Sequence, residues 1–236
     1  HAVDQRYGGS PAAAAAAWGV TAATREELYQ SSPAPPPEDL ELMRRYYADQ
    51  YYRFCYETVK AIDPNHLYLG CYICPGCPDN DANWQLIARH CDVMSYDRYT
   101  LHYDDGPLAR LQQETGRPHL CGEFSFPAWY DGWRGFGRYQ VSARDDAEAG
   151  ELYTQMVRGG ATDPFCVGLM WFKYRDQPLT GRGPGYGPEL VYGEHFAFGL
   201  VTETDRVKWD LVRRMREANL SAIHWRLEAA GLAGAQ

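Results

Sequence analysis

The feature that most constrains the fold of this chain is a regular alternation of apolar and amphipathic stretches after Pro64. The apolar stretches predict strands over 66–72, 91–99, 118–124 and 165–172. The other stretches predict helices over 81–90, 106–116, 144–160 and 205–230. Consecutive strand–helix units predict a parallel sheet covered by helices, because parallel strands need long crossover connections. The predicted fold class is therefore α/β.

The residues before this alternation predict helix and no strand. Apolar residues recur at spacings of three and four from Leu40 to Ile62, which predicts one long helix over about 37–63. Residues 1–35 contain an alanine run and a proline-rich connector. We therefore expect an N-terminal connector and helical segment at 1–35 and a main domain at 36–236.

Composition narrows the classes of function. The chain has 236 residues, 45% of them hydrophobic, and a formal net charge of −8. This composition is typical of a folded domain, and the negative charge argues against a nucleic-acid partner. No apolar run approaches the roughly 20 residues that cross a bilayer, so no membrane partner is expected.

Two architectures fit a parallel sheet of this kind: an open doubly wound sheet and part of a (β/α)8 barrel. The doubly wound alternative lacks a glycine-rich phosphate turn after any predicted strand. The polar and aromatic residues at the carboxyl ends of the predicted strands are Asp97, Tyr99, Glu123 and Trp171. Barrel enzymes place their chemistry at that end of the strands, which favours the barrel.

The stretch "PHLCGEFSF" contains a single carboxylate, Glu123, which lies at the end of a predicted buried strand. An unpaired buried carboxylate is costly in free energy. Glu123 is therefore either a catalytic group at the mouth of a barrel or a structural acid paired with Arg98 or Arg175.

Four motifs, taken in order, resemble the last four strands of clan A glycoside hydrolases, and are most like those of β-agarases and β-galactosidase-like enzymes. They are "DPNHLYLGC", "CDVMSYDRY", "HLCGEFSF" and "MWFKYRDQPLTGRG", followed by the agarase-like "GEHFAFGLV". The resemblance implies a TIM barrel of which only the C-terminal four βα units are visible in this chain. It also implies retaining hydrolysis of β-glycosidic bonds in an oligo- or polysaccharide, with no cofactor.

The resemblance also implies roles for individual residues. Glu123 matches the nucleophile, and Tyr99 matches a tyrosine that hydrogen-bonds it. Asp97 stands where the family often has asparagine, and Trp171 matches a tryptophan that floors the sugar site, although plain core packing is the alternative for Trp171. Further substrate contacts are expected from residues after the last two strands: Trp129, Trp133, Asp176, Gln177, Arg182 and Glu194. The alternative for Trp129 and Trp133 is a loop packed on itself.

The proton donor of the family, a glutamate in an Asn-Glu pair after strand four, has no counterpart, because the chain contains no Asn-Glu dipeptide. A barrel needs at least about 200 residues in eight units, and half a barrel leaves open sheet edges. We therefore expect an upstream half-barrel, a second chain or a homodimer to complete the fold. Activity of this chain alone is in doubt, and a non-catalytic carbohydrate-binding barrel is an alternative. A secreted or periplasmic location would follow from polysaccharide-degrading relatives.

A third reading comes from the spacing of Cys71, Cys74 and Cys77, which iron–sulfur and zinc sites also use. Such a site needs a fourth ligand. The alternative is a Pro/Gly loop with free thiols or a Cys74–Cys77 disulfide, and our expectation is no bound metal.

Overall fold

The computed structural model describes residues 1–74, 78–103, 107–132, 141–181 and 194–232. They form two compact units, His1–Tyr68 and Leu69–Gln236. The long helix of the first unit packs against the residues that precede it. Leu42 and Met43 of that helix contact the buried cluster of the N-terminal segment.

The first unit is helical throughout its regular structure. Its helices are α1 (Ala2–Arg6), α2 (Pro11–Ala17), α3 (Arg25–Gln30) and α4 (Pro37–Ile62). The buried carboxylate of Asp39 ties α4 to the segment before it, accepting hydrogen bonds from Tyr7 Oη at 2.5 Å and Trp18 Nε1 at 2.7 Å. Arg6 Nε lies 2.6 Å from the other oxygen. Burial opposes ionisation, but these hydrogen bonds and the Arg6 charge outweigh it and lower the pKa of Asp39.

The second unit is the predicted alternation of strands and helices. Its elements are β1 (Tyr72–Ile73), α5 (Pro78–Ala88), β2 (Met94–Asp97), α6 (Pro107–Thr115), β3 (His119–Phe124), a 3-10 turn (Tyr130–Gly132), α7 (Asp146–Thr162), β4 (Cys166–Trp171) and α8 (Trp209–Ala229). The four strands pair in parallel in the order β1-β2-β3-β4. The prediction of an α/β fold with a parallel sheet is confirmed for the described residues.

The prediction of a strand over 66–72 was wrong in its extent, because β1 contains only Tyr72 and Ile73. Leu67 is 67% exposed, and Gly70 has a φ of +70° that breaks the extended backbone. β1 pairs only with β2 in the described sheet. An apolar run therefore forms little strand here because it has neither a second neighbour nor a buried face.

Helix α7 covers one face of the sheet and packs along α8. Tyr153, Met156 and Val157 of α7 are buried, as are Leu211 and Met215 of α8. Among the described residues, no helix has the length and apolarity needed to cross a membrane.

A hydrogen-bond network around Asp163 joins the amino ends of β3 and β4. Asp163 Oδ2 accepts from Tyr103 Oη at 2.7 Å and Gln112 Nε2 at 2.9 Å, and lies 3.2 Å from Nε2 of the fully buried His119. The amide of Phe165 donates to the other oxygen. Burial opposes ionisation of Asp163, but the hydrogen bonds from His119, Phe165 and Tyr103 dominate and bring its pKa well below the ordinary value.

The variant Asp163→Asn is expected to lose about 2 kcal/mol of folding free energy, because bonds to a charged acceptor are stronger than bonds to an amide. A loss of this size corresponds to a melting temperature lower by roughly 4–8 °C. The lowered pKa means that the carboxylate stabilises the fold above about pH 4 and that this stabilisation disappears as the pH falls. Denaturation of both proteins from pH 7 to pH 3 should show the difference shrinking, whereas exposed Glu217→Gln should match the wild type at every pH.

Candidate active site

Three of the expected site residues lie together at the carboxyl ends of β2 and β3. The register of the sheet places Asp97 beside Glu123 on the neighbouring strand. Tyr99, just past the end of β2, donates a hydrogen bond from its hydroxyl to Glu123 Oε2 at 3.0 Å. Arg175, one of the alternative ion partners considered for Glu123, instead pairs with Asp205.

The environment of Asp97 changes its ionisation. Burial, and then the Glu123 charge, raise the pKa of Asp97 to about 6. Asp97 Oδ1 is buried and has no hydrogen-bond partner among the described residues. Burial, and then the same negative charge, also raise the pKa of the Tyr99 hydroxyl, which therefore stays protonated and remains a donor to Glu123. The site thus favours a proton on Asp97 in mildly acidic solution.

This arrangement gives a stability prediction for Asp97→Asn. Asp97 holds its proton more tightly in the folded chain than at its ordinary pKa of 3.8. Its favourable contribution is therefore fully present below about pH 4 and is lost as the pH rises through about 6. Neutral asparagine has no charge to bury, so the melting temperature of the variant relative to the wild type should increase from pH 4 to pH 7. A difference that is constant over this range, as expected for the exposed control Asp210→Asn, would contradict the prediction.

Trp171 lies in an aromatic cluster on the side of the sheet covered by α7. Its ring centroid is 5.6 Å from those of Phe124 and Tyr153, the latter on α7, and 6.2 Å from that of Phe126. Its indole N–H donates to the carbonyl oxygen of Phe198 at 2.8 Å. The ring is half-buried, and its contacts show that packing accounts for at least part of its role.

A series of aromatic contacts that the sequence did not reveal connects Phe172 with Tyr99, the hydrogen-bond donor to Glu123. The ring of Phe172 is 5.4 Å from that of Phe198, and Phe198 is 6.4 Å from Tyr99, the donor to Glu123. Successive side chains of a strand point to opposite faces of the sheet. This alternation could have predicted that Phe172 and Trp171 face different sides. No local pattern marks Phe198, which lies in a segment without regular structure.

The expected substrate contacts after β4 are engaged with the protein itself. Asp176 is buried, and its Oδ1 accepts from Lys208 Nζ and from the amide of Gly199, each at 2.7 Å. Gln177 is fully buried; it donates to Glu194 Oε2 at 2.7 Å and accepts from the amide of Phe196 at 2.8 Å. These side chains shape the segment that contains Phe198.

The remaining expected residues are only partly described. Trp129 is half-buried, its backbone amide donates to Ala143, and its buried indole N–H has no partner among the described residues. Trp133, Arg182 and Cys77 lie outside the described residues, so the C-x2-C-x2-C run is described only at Cys71 and Cys74. Within the described ranges, no group of three or more His, Cys, Asp or Glu side chains is arranged to hold a metal ion.

Comparisons with known proteins point to carbohydrate-active enzymes, although no family profile matches the chain. β-Agarase B of Vibrio sp. (strain JT0107) is 29% identical over 86% of this chain and 21% of its own length. β-Agarase A of the same strain is 29% identical over 98% of this chain and 24% of its own length. A solved exo-β-agarase superimposes with a TM-score of 0.73 at 28% identity, over 93% of this chain and 29% of that one.

In sequence and in fold, the class of protein to which this chain is similar is therefore that of the glycoside hydrolases. The particular relatives are β-agarases, and the chain spans only about a quarter of the length of the two curated ones.

Proposed function

We propose that this chain is the nucleophile-bearing part of a retaining glycoside hydrolase. The observation that carries the proposal is the group at the ends of β2 and β3, in which Glu123 accepts a hydrogen bond from Tyr99 beside the carboxyl group of Asp97. A hydrogen bond donated to a carboxylate stabilises its ionised form. A proton on Asp97 removes the repulsion of a second negative charge.

In the proposed reaction, a carboxylate oxygen of Glu123 attacks the anomeric carbon and the glycosidic bond breaks. The departing oxygen takes a proton from a general acid, and water then hydrolyses the glycosyl-enzyme ester. Retaining enzymes hold the two carboxyl groups about 5–5.5 Å apart. We assign the general acid to a part of the whole protein outside this chain, because the Asn-Glu pair of the family has no counterpart in the sequence.

We infer that the four strands are the C-terminal half of a (β/α)8 barrel. The strands follow one another without reversal of order, as in a barrel, whereas a doubly wound sheet reverses at its switch point. Val167 and Met170 of β4 are 59% and 50% exposed, and Trp209 and Ile223 of α8 are also exposed. Exposed apolar side chains on the edge strand of the described sheet are suited to further packing, and we propose that an upstream half-barrel covers Val167 and Met170.

The proposed substrate is a neutral, galactose-containing polysaccharide with β-glycosidic bonds. The names of the relatives support this choice. A neutral substrate is also compatible with the negative net charge of the chain.

Covalent trapping tests the proposal directly. A 2-deoxy-2-fluoro-β-galactosyl donor with a dinitrophenolate leaving group needs no proton from a general acid, so it addresses Glu123 without the missing group. We expect one added fluorogalactosyl mass, located by peptide mapping on Glu123. Sugar binding without labelling would instead support a carbohydrate-binding protein, and labelling at another residue would contradict the assignment of Glu123.

A further inference from the structure

In the second unit, a buried ion pair joins the segment after β4 to the start of α8. Lys208 Nζ is 2.7 Å from Asp176 Oδ1, and the two residues are only 4% and 5% exposed. Lys208 is the residue just before α8, and Asp176 follows β4. Burying two charges is costly, and replacing such a pair with apolar groups is often neutral or stabilising. Stability alone is therefore a weak explanation for this pair.

The pair holds the backbone on both sides of one residue, Phe198. Asp176 Oδ1 accepts from the amide of Gly199 at 2.7 Å, and Lys208 Nζ donates to the carbonyl oxygen of Ala197 at 3.1 Å. Each charged group thus makes a further hydrogen bond to a residue that flanks Phe198. Any sliding of this backbone would stretch charge-assisted hydrogen bonds in a dry environment, where they are strong.

Phe198 in turn contacts the residues that form the candidate site. Its carbonyl oxygen accepts from Trp171 Nε1 at 2.8 Å, and its ring lies 6.4 Å from the ring of Tyr99. Tyr99 donates to Glu123 at 3.0 Å. The position of Phe198 is therefore linked by direct contacts to the orientation of the donor that holds Glu123.

We propose that Lys208 and Asp176 are positioning residues, which fix Ala197–Gly199 so that Phe198 holds Tyr99 and Trp171 in their places around Glu123. This inference rests on the proposed function for its effect on chemistry, and on the contacts above for its effect on structure. The ion pair itself does not contact the reacting atoms.

The test uses the double variant Asp176→Asn/Lys208→Met. Asparagine keeps an acceptor for the amide of Gly199, and methionine fills a similar volume, so neither change leaves an unpaired buried charge. We expect the far-ultraviolet circular dichroism spectrum to be unchanged. The concentration of the fluorogalactosyl reagent that gives half-maximal labelling should rise at least tenfold. With 5-fluorotryptophan incorporated, the fluorine resonance of Trp171, assigned with Trp171→Phe, should shift or broaden.

The matched control is Arg175→Met/Asp205→Asn, which removes an exposed ion pair from the same two loops. It should change neither readout. A double variant that matches the wild type in both labelling and fluorine spectrum would overturn the inference. If the wild type is not labelled even within the whole protein that supplies the rest of the barrel, the proposed glycosidase fails, and the fluorine spectrum still decides the positioning role. Should the double variant not fold, Asp176→Glu, which keeps both charges of the pair but lengthens the side chain that holds the amide of Gly199, is expected to show the same changes to a smaller extent.

Discussion

Replacing Glu123 with alanine is expected to abolish covalent trapping and to slow the release of dinitrophenolate from dinitrophenyl β-galactoside by about 10⁴-fold or more. Removal of a group that forms the covalent intermediate has effects of this size in other enzymes. The activated leaving group makes formation of the glycosyl-enzyme, measured as the first burst of dinitrophenolate, independent of the general acid. The measurement therefore reports on Glu123 and its immediate surroundings.

Azide provides a second measurement on the same variant, in which a new product should form. Once the carboxylate is absent, azide can enter the space it leaves and attack the anomeric carbon directly. A single displacement inverts the configuration, so the product should be the α-galactosyl azide, identifiable by NMR. Absence of this product, together with a rate close to that of the wild type, would refute the nucleophilic role of Glu123.

Tyr99→Phe provides a graded comparison for the same measurement. The variant removes one hydrogen bond to a charged acceptor, a loss of about 1.5–3 kcal/mol. The labelling rate should therefore fall by roughly 10- to 150-fold while the site of labelling stays at Glu123. Exposed Glu217→Gln should label at the wild-type rate.

The sequence predicted the proximity of those site residues whose placement follows from strand periodicity. Asp97, Tyr99 and Glu123 each end or follow a predicted strand, and parallel strands gather their carboxyl ends at one edge. Their proximity in the structure needed only the right strands in the right order. β1 is shorter than predicted, but the positions of these three residues do not depend on it, because β2 and β3 are the two inner strands of the described sheet.

Trp171 shows where that reasoning reaches its limit. The β3–β4 register shifts between Cys121 and Phe124, and the structure pairs Phe124 with Trp171. A bulge changes which side chains face each other, and no residue pattern in the sequence announces it. The indole of Trp171 consequently packs with Phe124 and Tyr153. The ring that packs against Phe198, on the side of the site, is that of Phe172.

The ion pair of Lys208 and Asp176 was beyond prediction for a different reason. The two residues are 32 positions apart, and both are of types that usually stay at the surface. Only the folded path of the backbone brings them together in a buried place. Asp176 was expected to contact substrate, whereas its carboxylate here is occupied by protein donors.

The same segment gives the largest expected effect on stability, from Gly199→Ala. A Cβ at this position would lie under 3.0 Å from the amide nitrogen of Asp176 and the carbonyl oxygen of Val201, which are joined by a hydrogen bond of 2.9 Å. Both atoms belong to the backbone and cannot rotate away as the end of a side chain could. We expect a loss of about 3 kcal/mol or more, at the upper end of overpacking effects, and a melting temperature lower by at least roughly 6–12 °C.

Gly116→Ala is the control that separates this steric effect from backbone strain. Gly116 has a φ of +62° and open space where its Cβ would lie, so its substitution adds strain without a clash and should cost about 1 kcal/mol. Gly199 presents the opposite case, a clash without a positive φ. If Gly199→Ala costs no more than Gly116→Ala, the 196–201 segment can move away from β4, and it could not then hold Phe198 in one place. A much larger cost, accompanied by slower labelling of Glu123 under conditions where the variant remains folded, is the result expected if close backbone packing fixes this side of the site.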